Sequence, residues 1–88
     1  MIEQVVTISN RAGIHARPAA VLVQTVKDFQ SNIHIEKDND RINAKSIMGV
    51  LTLAASYGTE LKIIADGEDE KLAMETIIRL FESGFEEE

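Results

Sequence analysis

The chain contains no cysteine, which excludes disulfides, thiolate nucleophiles and cysteine-ligated zinc. Long apolar runs are missing too. The stretches Ala16 to Val23 and Ile47 to Ala55 are short and interrupted, well below the roughly 20 residues that a membrane helix needs, so no bilayer insertion is expected. The opening residues Met1, Ile2, Glu3 and Gln4 lack the cationic and apolar segments of a secretory signal, and a cytoplasmic location is expected. No repeat, low-complexity tract or linker divides the chain. Its 88 residues are 44% hydrophobic and 27% charged, enough for one core and a soluble surface. A single domain over 1–88 is expected, with residues 86–88 as a frayed acidic tail. A chain this small has little room for a deep enclosed substrate cavity.

Carboxylates are absent from two segments. Between Glu3 and Asp28 the charged residues are Arg11, Arg17 and Lys27, and between Asp40 and Glu60 they are Arg41 and Lys45. Net charge is −6, yet up to Ala65 seven cations face six acids, and beyond it two face nine. Overall acidity argues against non-specific nucleic-acid binding, which needs clustered cations on phosphates. A local basic patch can still steer one acidic partner; scattered surface charge is the alternative that patterning leaves open.

Ile2, Val6 and Ile8 alternate with Glu3 and Thr7, the period-two pattern of a half-buried strand. Asn10 to Gly13 reads as a turn. Ala19, Leu22, Val23 and Val26 then recur at helical spacing, with Phe29 closing the segment, which predicts a helix from about Ala16 to Asp28. Ile33 and Ile35, the turn residues Asp38 to Asp40, and Ile42 with Ala44 predict a hairpin. Ser46 to Leu53 reads as a short helix, and Leu61, Ile63 and Ala65 as a last strand. Met74, Ile77, Ile78 and Phe81 form the stripe of a helix over Asp69 to Ser83 that stops at Gly84. The order β-α-β-β-α-β-α is satisfied most simply by an α/β (α+β) open-faced β-sandwich: a four-stranded antiparallel sheet, three helices on one face, the other face in water.

His15 stands directly before the first helix, in the run Gly13, Ile14, His15, Ala16, Arg17, Pro18, Ala19. The first N–H groups of a helix lack internal acceptors and carry partial positive charge, so a phosphoryl group is welcome there. Pro18 removes only a donor that the first turn leaves unused, and Gly13 permits a backbone path closed to larger residues. Arg17 can add charge-assisted bonds to phosphate oxygens. An imidazole with a free nitrogen lone pair is a phosphoryl acceptor. The alternative is a surface histidine at a helix start beside a solvated arginine.

The run resembles, residue for residue in GIHARPA, the active-site signature of the histidine-containing phosphocarrier proteins, the HPr family of the bacterial phosphotransferase system. The similarity extends over all 88 residues in length and element order. It implies that His15 accepts phosphate from enzyme I through Nδ1, that Ala16 and Arg17 hold it, and that sugar-specific or nitrogen-branch IIA-type proteins receive it. The chain would be a carrier forming a transient phosphohistidine and not an enzyme, needing no cofactor. A related subgroup has lost the histidine and is purely regulatory; His15 argues against that assignment. Ala12 stands where some members have a polar residue near the imidazole.

A second run, Asn43 to Val50, carries the same resemblance. It implies regulatory phosphorylation of Ser46 by a serine kinase, reversed by a phosphorylase, and contacts with a transcriptional regulator. Read by itself, Ser46 is a helix N-cap. Ile47, Met48, Val50, Leu51 and Leu53 occupy too much of a short helix for all to be buried, and Ile47 and Met48 are expected to be exposed. With Arg17, Ala20, Lys27 and Lys45 they would form a docking surface, apolar at the centre and basic at the rim. His34 shares an outward strand face with Asn32 and Glu36 and is expected in solvent; it has no partner at metal-binding spacing, and no metal is assigned. No arrangement of Ser, His and Asp indicates a hydrolase. A monomer is expected. Whether the chain serves sugar uptake or a nitrogen-related regulatory branch stays open, and a non-phosphorylated interaction or sensor domain is the alternative from another class.

Overall fold

Alternating apolar residues become one buried side of a sheet. The structure, a computed structural model, describes residues 1–86. Strands β1 (Ile2–Thr7), β2 (Asn32–Lys37), β3 (Asp40–Asn43) and β4 (Glu60–Asp66) form an antiparallel sheet in the order β1-β4-β2-β3. The helices are α1 (Ala16–Val26), α2 (Ile47–Thr52) and α3 (Glu70–Glu82), followed by a 3-10 turn at Gly84–Glu86. The expected element order and open sheet are those observed. Register places Val6 opposite Leu61, and Ile35 opposite both Ile63 and Ile42. That side meets Leu22, Val26, Val50, Ile77 and Phe81 in one core.

Several boundaries follow from local chemistry. Helix α1 stops two residues before the expected Asp28, because the Phe29 N–H turns back to the Val26 carbonyl at 3.1 Å. The β2–β3 loop is only Asp38 and Asn39, with Asp38 at φ 57, a left-handed position that Asp tolerates better than most side chains. After β3, Ala44 is fully buried and its N–H reaches the Ile33 carbonyl at 2.9 Å. Helix α3 ends at Glu82, Gly84 beyond its C-cap lies in the left-handed region (φ 64), and Phe85 folds back so that its ring meets Phe81 edge-on at 4.8 Å. Glu86, expected to fray, is exposed but belongs to that 3-10 turn, its N–H bonded to the Ser83 carbonyl at 3.1 Å. The remainder of the expected tail, residues 87 and 88, lies outside the described residues.

The helix-free face is less open to water than alternation implies. Ile64 is only 2% exposed, lying in register between Glu3 on β1 and His34 on β2. His34 faces this side as expected, but it is half-buried there and not fully exposed. Alongside runs a ladder of charge across all four strands: Lys62 lies 3.6 Å from Glu3 and 3.7 Å from Glu36, and Arg41 lies 2.8 Å from Glu36. The Arg41 bond, assisted by Lys62, holds the Glu36 carboxyl below the ordinary range. Among the described residues no helix is long and apolar enough to cross a membrane, and no group of three His, Asp or Glu is placed to hold a metal ion.

Candidate functional site

The loop between β1 and α1 is tied at several points before it delivers His15. The Ser9 hydroxyl donates to the Phe81 carbonyl at 2.8 Å, anchoring the loop to the end of α3. Asn10, 1% exposed, closes a turn: its Nδ2 donates to the Gly13 carbonyl at 2.7 Å, and the Gly13 N–H returns to the Asn10 carbonyl at 3.1 Å. Gly13 adopts φ +74, and a Cβ there would lie 2.5 Å from the Ala55 carbonyl oxygen. Only glycine fits, because the next N–H, that of Ile14, bonds this same oxygen at 2.8 Å.

His15 is the N-cap of α1, in extended conformation (φ −102, ψ −167), and its carbonyl accepts the Ala19 N–H at 3.0 Å. The imidazole does not cap the helix and is exposed. Ala16 and Arg17, also exposed, contribute two first-turn N–H groups without intrahelical acceptors; Pro18 contributes none and is buried. No acidic side chain occupies this first turn, so nothing in the helix itself competes with an incoming anion. His15 and Arg17 line one open depression of about 720 Å³ with Arg11, Ala12, Val21, Phe85 and Glu86. Arg17 also borders a neighbouring depression of about 430 Å³ with Ala20, Val21, Gln24 and Thr25.

Sequence reasoning missed Arg11, Phe85 and Glu86 as parts of this site. The available signal was an aromatic residue directly after a helix-stopping glycine, which commonly folds back onto the last turn. That return places Glu86 beside the loop that presents His15.

The second run folds as a helix start. Ser46 is the N-cap of α2 (φ −109, ψ 115), its Oγ accepts the Gly49 N–H at 3.1 Å, and it is exposed. Asn43 prepares the turn by accepting the Lys45 N–H on its Oδ1 at 2.9 Å. Helix α2 packs against α1 and buries Val50, whereas Ile47 is 41% and Met48 69% exposed. Leu51 is half-buried and Leu53, just beyond the helix, is buried. The two lysines of the expected rim differ. Lys27 is exposed at the end of α1, but Lys45 is half-buried with its ammonium donating to the Phe29 carbonyl, which ties it to the α1–β2 connection.

An exposed histidine at the N-cap of a helix, lining one open depression with an arginine on a small open-faced sandwich, defines a domain suited to carrying an anionic group. The family described as PTS HPr component phosphorylation site matches residues 2–83. The chain is 50% identical over 88 residues to the phosphocarrier protein HPr of Treponema pallidum, covering all of both chains. It is 48% identical over 77 residues to the HPr-like protein Crh of Bacillus subtilis, covering 88% of this chain and 91% of that one. The crystal structure of HPr-C-His from Thermoanaerobacter tengcongensis superimposes with a TM-score of 0.96 at 49% identity, covering 100% of this chain and 99% of the other. The chain belongs to the HPr family of phosphocarrier proteins of the phosphotransferase system.

Proposed function

We propose that His15 accepts a phosphoryl group from enzyme I and passes it to IIA-type proteins. The observation that carries this is the exposed His15 at the N-cap of α1, directly before the first-turn residues Ala16 and Arg17 and in one depression with Arg17. In the transfer, the Nδ1 lone pair forms an N–P bond while the bond holding phosphorus on enzyme I breaks, its electron pair staying with the donor. The first-turn N–H groups and Arg17 stabilise the negative oxygens, and an open site lets donor and recipient reach the same ring. In this reading the chain is a substrate of other enzymes and works in the cytoplasm as a monomer.

The exposed Ile47 and Met48, with Ala20, Arg17 and Lys27, form the docking surface in this reading, and Lys45 braces it from the α1–β2 connection. Phosphorylation of Ser46 by a serine kinase would place a dianion at the start of α2, beside that surface, where it opposes an acidic partner without unfolding the helix.

Incubation of the purified chain with phosphoenolpyruvate and enzyme I, followed by mass measurement, should show an acid-labile gain of one phosphate that His15→Ala abolishes. No gain, or an equal gain in His15→Ala, overturns the reading. Offering the phosphorylated chain IIA proteins of the sugar and nitrogen branches separates the two branches. Slower phosphorylation of Ser46→Asp than of wild type would support the regulatory role, and equal rates would remove it.

A further inference from the structure

The cations of this chain are not equally engaged. The ammonium groups of Lys37 and Lys45 donate to the carbonyls of Leu53 and Phe29, and Arg41 and Lys62 pair with Glu36 and Glu3 on the helix-free face. Arg11 and Arg17 make no ion pair with another described residue, and both line the depression that holds His15. Arg11 is exposed, yet its backbone belongs to the turn that Asn10 and Gly13 close with two hydrogen bonds. Its Cα is therefore fixed beside the site while the guanidinium keeps its reach. Ala12, the next residue, lines the same depression with only a methyl group.

A phosphoryl group brings roughly 1.5 to 2 negative charges at neutral pH, more than one guanidinium balances. We infer that Arg11, carried by the loop before His15, is a second cation for the phosphoryl group on His15, beside the helix-borne Arg17 in the same depression. This rests on His15 being the phosphoryl acceptor. The two arginines then hold the group from two elements, the loop and the helix, and Arg11 supplies the polar contact that Ala12 cannot.

The test uses the full chain as wild type, Arg11→Gln and Arg11→Lys, each phosphorylated by enzyme I and phosphoenolpyruvate. Two quantities are read: the equilibrium ratio of phosphorylated to free chain against enzyme I, and the pH titration of the phosphohistidine followed by ³¹P resonance. For Arg11→Gln the equilibrium should move about three- to tenfold toward the free chain, with the phosphoryl titration displaced upward in pH because a neighbouring cation is gone. Arg11→Lys should restore most of both. If wild type gains phosphate on His15 but Arg11→Gln leaves both readouts unchanged, the role of Arg11 is overturned and the carrier reading stands. A raised KM for enzyme I with unchanged equilibrium and titration also overturns it, making Arg11 a docking residue instead. Failure of wild type itself to gain phosphate overturns both.

Discussion

The carboxylate of Asp69, at the N-terminus of α3, accepts both the N–H and the hydroxyl of Ser31, 38 residues away in the α1–β2 connection. A third bond comes from the Gln30 N–H at 2.8 Å. These donors, the Ser31 hydroxyl foremost, hold the Asp69 carboxyl below its ordinary value. The neighbouring Gly67 lies so close that a Cβ would come within 2.6 Å of the Ser31 Cα. Helix α3 is in this way pinned, at the end remote from His15, to the segment that leaves α1.

Asp69→Asn should lower the urea midpoint at neutral pH, since an amide offers one acceptor oxygen where the carboxylate offers two. The pH dependence has a definite sign. Unfolded, the carboxyl titrates near 3.8, and folded it titrates lower. The stability it contributes is full above 3.8 and is lost as pH falls through the folded value. Urea midpoints for the two proteins should converge on acidification below about pH 4; parallel acid limbs would contradict this. Glu70, depressed by the Gly67 N–H and the Met1 amine, adds to the wild-type acid sensitivity with the same sign.

Gly13→Ala and Gly58→Ala separate steric fit from backbone strain. Both glycines have positive φ (+74 and +84), but an added Cβ at Gly58 meets nothing within 4 Å, whereas at Gly13 it runs into the backbone of Ala55 and Ser56. Gly58→Ala should cost about 1 kcal/mol, the backbone component alone. Gly13→Ala should cost on the order of 3 kcal/mol and also reduce phosphorylation, because the loop before His15 must shift. Denaturant unfolding and the mass assay read the two effects; equal destabilisation would show that the loop gives way freely.

How much was legible in the sequence depended on whether the physics was local. Period-two and helical spacing located β1, β2, β4, α1 and α3, because burial on one face is written into alternate residues or every third and fourth, whereas β3 begins at Asp40, read from the sequence as part of the turn, and ends before Ala44. The N-cap roles of His15 and Ser46 were readable for the same reason: an extended residue before a helix needs only its immediate neighbours. What escaped depends on distant contacts. Ile64 breaks the alternation of β4, and its burial requires knowing that β1 and β2 flank it. Lys45 looked like a rim charge until the end of α1 offered it a carbonyl. Phe85 and Glu86 reach the His15 site only because the end of α3 lies against the loop through Ser9.

Ser46 should show a structural role separable from any regulatory one. Ser46→Ala removes the acceptor of the Gly49 N–H and should cost about 1 kcal/mol, whereas Ser46→Asp keeps a capping oxygen and should stay within about 0.5 kcal/mol of wild type. Met48→Ser, at a site 69% exposed, should change stability by less than about 0.5 kcal/mol yet raise the KM for enzyme I. Leu22→Ala, fully buried, should cost about 2 to 5 kcal/mol. Thermal unfolding alongside phosphotransfer rates distinguishes these cases, and an unchanged KM for Met48→Ser would take that residue out of the docking surface.

Glu86 is the carboxylate among the described residues lining the His15 depression, and two successive left-handed residues, Phe85 at φ 58 and Glu86 at φ 62, place it there. Like charges in one depression repel, so Glu86 opposes the arrival of a phosphoryl group, and the effect weakens as salt rises. Glu86→Gln should therefore shift the phosphotransfer equilibrium toward the phosphorylated chain by about two- to threefold at low ionic strength, and by less at 0.5 M salt. Phe85→Ala provides the contrasting case. It removes the buried ring packed on Phe81 and should destabilise the fold by about 3 kcal/mol, whereas Glu86→Gln should leave thermal unfolding unchanged. A Glu86→Gln equilibrium equal to wild type at low salt would mean that Glu86 exerts no field on the ring.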